Sequence, residues 1–113
     1  MSGAGRFTKE MVAGEIRVLR RLHGMLENDP IETRGQFGDL MRAAFGLGRL
    51  DPRQLSDDLG YSISAVYRWV DGRTAPHSSL WPRIVIWVRE AIEKRVAQYT
   101  DDGSLSEEEV AEV

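Results

Sequence analysis

Leu55-Ser-Asp-Asp-Leu-Gly60-Tyr-Ser-Ile-Ser-Ala-Val66-Tyr-Arg-Trp69-Val-Asp-Gly72 is the stretch whose reading decides the fold. Just upstream, Asp51-Pro52-Arg53-Gln54 is a complete helix start, with an acidic cap, proline at the first helical position and glutamine at the third. Gly60 stops this helix within about two turns, and Ser62 can cap a second one that ends at Asp71-Gly72. Two short helices, each with its own cap and joined by a glycine turn, predict a helix-turn-helix with helices over 51–60 and 62–71. Its geometry needs Leu55 and Leu59 to pack on Val66 and Trp69, which holds the second helix proud of the surface. Ser62, Ile63, Ser64, Tyr67, Arg68 and Asp71 then face outward by helical spacing.

Outward from this core the pattern stays helical. Val12, Ile16, Leu19, Leu22 and Leu26 recur at spacings of four and three, which predicts a helix over 8–30 that starts at the cap Thr8 and ends at Asn28-Asp29-Pro30. Thr33-Arg-Gly-Gln36 has capping-box spacing and opens a helix whose apolar face is Phe37, Leu40, Met41, Ala44 and Phe45. Downstream, Ser78 or Ser79 caps a long helix, over 79–98 with its cap. No segment alternates as a strand would. The expectation is an all-α chain: a helix-turn-helix domain of about five helices over 33–98, with an added N-terminal helix and a long C-terminal one. Residues 1–7 and 99–113 are expected to be disordered.

Ile84-Val-Ile-Trp87-Val88 places apolar groups around a whole turn of the long helix, so that helix has to be covered on more than one side. The cover is either the helix at 8–28 from the same chain or a second subunit. The reading favours a homodimer, with Ile16, Leu19, Leu22, Leu80 and Trp87 at its interface.

Composition excludes several chemistries. The chain of 113 residues has no cysteine and only His23 and His77, so thiolate sites are excluded and a histidine metal centre is disfavoured; no metal or cofactor is expected. No pair of acids, histidine cluster or phosphate-cradling glycine loop stands in a catalytic context, so an enzyme is not expected. The longest apolar run is five residues, far short of the ~20 of a membrane span, and no signal-peptide core is present, which points to the cytoplasm and, for a DNA binder, to the nucleoid. The net charge of −3 runs against a nucleic-acid binder until it is divided. All 15 Lys and Arg and 12 of the 18 acids lie in residues 1–98, a net of +3. Asp101, Asp102, Glu107, Glu108, Glu109 and Glu112 give residues 99–113 a charge of −6. A mildly basic body therefore ends in an acidic tail.

The segment resembles the Cro/C1-type (lambda-repressor-like, XRE-type) helix-turn-helix family of phage and bacterial regulators. The resemblance rests on the Leu…Leu-Gly60 turn, Ser62 and Ser64, Val66, Arg68-Trp69, Gly72 and the later Pro76. It covers about residues 36–90 and is strongest over 51–76. The resemblance implies sequence-specific binding of double-stranded DNA, as a homodimer on a palindromic operator, by a transcriptional regulator more in the manner of a repressor. Base contacts carry over to Ile63, Ser64, Tyr67 and Arg68. Backbone contacts carry over to Arg53, Gln54, Ser62, Arg73 and Thr74. This chain departs from the family pattern at Val70, where many members carry a glutamate, at Pro52, often a glutamine, and in having one long closing helix instead of two short ones.

A second reading belongs to another class: a helical protein-interaction adaptor, or an antitoxin-like regulator. It would take a protein partner through the N-terminal helix or the acidic tail.

Overall fold

Six α-helices build the chain in a computed structural model that describes residues 8–113. The expectation of disorder over residues 1–7 lies outside the described residues. The helices are α1 (Lys9–Asn28), α2 (Arg34–Arg42), α3 (Pro52–Leu59), α4 (Ile63–Val70), α5 (Trp81–Asp101) and α6 (Glu107–Ala111). A π-helical turn (Ala43–Leu47) extends α2, and a single 3-10 turn (Ser78–Leu80) leads into α5. No strand occurs among the described residues, so the protein is all-α.

The helix starts are chemically explicit except at α5, where neither Ser78 nor Ser79 acts as the expected cap: both lie in the 3-10 turn, and Leu80 leads into the helix with no side-chain cap. Thr8 caps α1, Ser62 caps α4, and Thr33 with Gln36 closes a capping box at α2. Asp51 accepts from the Arg53 amide and Pro52 occupies the first turn of α3, where no amide is needed. At its end α2 widens into the π turn, and Gly48 sits tightly against it. A Cβ at Gly48 would come within 2.8 Å of the Ala44 carbonyl.

One apolar core joins α1, α2, α3, α4 and α5. Phe37 lies at its centre, edge-on to Trp69 at 6.4 Å and stacked on Trp81 at 5.6 Å. α1 and α5 run antiparallel. Their contacts are Glu15 with Arg95 and Tyr99, His23 with Glu93, and Glu27 with Arg89.

Two expectations are corrected here. Ile16, Leu19, Leu22 and Trp87 were expected at a dimer interface, but all four are buried inside the single chain, and Leu80 is half-buried. The reason is the all-round apolarity of α5. α1 lies along one side of it, while Trp87 turns into the main core, stacks on Phe45 at 6.0 Å and donates from Nε1 to Asp58 Oδ2 at 2.8 Å. The acidic tail is likewise not disordered. α5 continues to Asp101, Gly103 turns the chain, and Ser106 with Glu109 forms a capping box that starts α6. Tyr99, Leu105 and Val110 close over Val12 and Ile16 as a small second cluster, and Lys9 pairs with Glu109 at 3.0 Å. Three apolar side chains in an acidic stretch are too sparse to show periodicity. They become sufficient only because α1 offers them a ready-made apolar surface.

Candidate nucleic-acid interface

α3 and α4 are joined by Gly60-Tyr61-Ser62. Gly60 takes a φ of 77°, the left-handed conformation that glycine adopts without a Cβ penalty. Ser56 Oγ, on α3, donates to the Tyr61 carbonyl, which fixes the turn against the helix before it. Tyr61 then places its ring edge-on to Trp69 at 5.1 Å. Leu55, Val66 and Trp69 are buried. The inner face of α4 is thereby locked to α3 and to the Phe37 centre of the core.

The opposite face of α4 is open. Ile63, Ser64, Tyr67 and Arg68 are all exposed, as are Ser62 at the cap and Asp71 at the end. With about 100° between successive residues, the four fall within one arc, Ile63 and Tyr67 along one edge and Ser64 and Arg68 along the other. Arg68 makes no ion pair among the described residues.

The C-terminus of α4 closes in a Schellman motif. Gly72 has a φ of 78° and donates to the Trp69 carbonyl at 3.1 Å, while the Arg73 amide donates to the Arg68 carbonyl at 2.9 Å. Arg73 and Thr74 are therefore held beside the end of α4, both exposed. Two further cations join them. Arg34 donates from Nη2 to the Arg73 carbonyl at 3.2 Å, and Arg42 lies so close to Gly72 that a Cβ there would meet its Nη1 at 3.2 Å. Arg34, Arg42, Gly72 and Thr74 line a recess of about 310 Å³ between α2 and this loop. Arg42 also pairs with Asp39, and Arg73 lies 4.0 Å from Asp71.

Of the residues expected at a DNA surface, the structure therefore brings Ile63, Ser64, Tyr67 and Arg68 onto one exposed face. Ser62 stands at its start, and Arg73 and Thr74 at its end. Arg53 is exposed near the start of α3. Gln54 is exposed beside it. It donates from Nε2 to Asp58 Oδ1 at 2.7 Å and lines a groove between α3 and α5 with Trp87 and Lys94. The donors Trp87 and Gln54 together hold the Asp58 carboxyl below the usual carboxylate range. Arg34 and Arg42 were not foreseen. Their spacing of eight, with Gly38 between, places both near one side of a helix. Nothing local says that the loop after α4 will settle against that side.

Models of known protein families, curated proteins and solved structures were all compared with this chain, and none of them matches it.

Proposed function

We propose that this protein is a sequence-specific DNA-binding transcriptional regulator, in which α4 enters the major groove and acts as the recognition helix. The observation that carries the reading is the division of α4. One face is fixed by buried Val66 and Trp69, and the other leaves four side chains free in a single arc. A major groove admits one α-helix, and the N-terminal part of such a helix meets the base edges. In this reading Arg68 pairs with guanine O6 and N7 through its planar fork, while Ser64 serves as a shorter polar reader. Ser62, Arg53, Arg73 and Thr74 meet phosphates and set the register, with Arg34 and Arg42 added to that set. Repression is the mode of action that the reading favours, since a small domain seated in the groove excludes other proteins from the same site.

The reading includes a second copy of the chain on a two-fold symmetric site. Because Ile16, Leu19, Leu22 and Trp87 are already buried, a second copy has to be held elsewhere. The outer face of α1 supplies a candidate: Met11, Val18 and Met25, spaced by seven, are 55%, 39% and 52% exposed. The adaptor reading draws on the same stripe and would place a different protein there.

The experiment is selection from randomised duplex by the full chain, followed by footprinting and sedimentation. A discrete motif supports the DNA reading, and a two-fold symmetric motif with a dimer on it supports the second copy. Recovery of no motif removes the DNA reading and leaves the adaptor. A monomer both free and on its site removes only the pairing.

A further inference from the structure

We propose that Ile63 and Tyr67 form a methyl-reading edge that selects thymine by its 5-methyl group; this rests on the DNA-binding reading above. The starting point is an apolar pair on a short helix. Ile63 is 37% and Tyr67 43% exposed, one turn apart on the same edge of α4. Together they make a small apolar edge beside the polar Ser64 and Arg68. Buried Val66 and Trp69 occupy the other side of the helix, so neither exposed group can turn inward without unseating the core.

The surroundings decide the occupant. Ser64 and Arg68 share the exposed arc, and the far end of the helix carries Asp71, 4.0 Å from Arg73, with Arg34 and Arg42 behind that pair. An apolar protein partner on Ile63 and Tyr67 would have to cover these polar and charged groups as well. A DNA major groove suits all of them at once: phosphates for the arginines, base edges for Arg68 and Ser64, and a methyl group for the apolar edge. Thymine is the base that presents a methyl there. Four residues of helix rise about 6 Å, close to two base steps of about 3.4 Å. Ile63 and Tyr67 therefore reach methyls on base pairs two steps apart, while Arg68 reads guanine on the other edge.

The test replaces each thymine of the selected site, one at a time, with deoxyuridine. This removes the methyl and leaves the hydrogen-bonding edge intact. Affinity is read by fluorescence anisotropy for the unaltered chain, Ile63→Ala and Tyr67→Ala. One or two positions are expected to weaken the unaltered chain roughly three- to tenfold, the scale of one lost apolar contact. Each penalty should disappear in one of the two variants. If every deoxyuridine site binds the unaltered chain as tightly as the parent, the methyl-reading edge is wrong while the DNA reading stands. A penalty that persists in both variants overturns the assignment to these residues. If no motif is selected, both readings fall together. The measurement on the unaltered chain does not depend on either variant folding.

Discussion

At the scale of single residues, the structure separates side chains that hold the fold from those left free to act. Arg68 is in the second group, so Arg68→Ala should leave thermal unfolding unchanged, cost about 1–3 kcal/mol of affinity for the selected site and relax one base pair of its motif. A repeat of the selection with the variant reads both effects. Gly48 is in the first group. Its close approach to the Ala44 carbonyl means that Gly48→Ala should destabilise by about 1–3 kcal/mol in urea unfolding. Gly24 is the internal comparison: a Cβ there meets nothing within 4 Å, and in the interior of α1 alanine should stabilise by about 0.5–1 kcal/mol. Tyr99 adds a pH dependence. Burial, reinforced by the hydrogen bond to Glu15, pushes its hydroxyl up from 10.0 to about 12. The folded state thus holds the proton more tightly than the unfolded one. Its contribution is complete below pH 10 and is lost as pH rises from about 10 to about 12. Tyr99→Phe should flatten that alkaline fall in stability, measured as urea midpoints across the range.

At the scale of elements, caps and turns were the most legible features, because they depend on neighbours within a few residues. Thr8, Thr33 with Gln36, Asp51-Pro52, Gly60 and Ser62 all act locally, and each marks its helix boundary within a residue or two. The division of α4 into an inner and an outer face was legible for the same reason, since helical periodicity alone assigns Val66 and Trp69 to one side. α6 was not legible. Its helix is five residues long, and its apolar content is too sparse to order it in isolation. It is held by Val12 and Ile16 on α1, nearly the whole chain away in sequence. Cutting the chain after Gly103 should therefore uncover those two residues and destabilise by about 1–3 kcal/mol, read as a lower urea midpoint. The same cut removes four carboxylates. It should tighten nonspecific DNA binding at low salt while leaving the selected motif unchanged, because α4 lies outside the second cluster.

At the scale of the whole molecule, charge and shape set how the interface can work. The helical body carries a modest positive excess, and no helix among the described residues is long and apolar enough to cross a membrane. On the proposed DNA-binding reading, so small an excess leaves the attraction to a few placed arginines. Arg73→Ala and Arg34→Ala should each weaken all duplexes alike and reduce the slope of log affinity against log salt by about 1. Arg34→Ala is the more telling of the two, since its guanidinium joins the proposed interface only by lying against the loop after α4. The sequence by itself determined the all-α class, the two capped helices about Gly60 and the outward set Ile63, Ser64, Tyr67 and Arg68, because all of these follow from spacings shorter than about two helical turns. Only the tertiary structure decided which surface covers α5, where the tail rests, and that Arg34 and Arg42 stand beside Arg73. Those outcomes depend on which of several apolar and polar surfaces meet across long separations. Competition for burial settles that choice, and it cannot be read from any one segment.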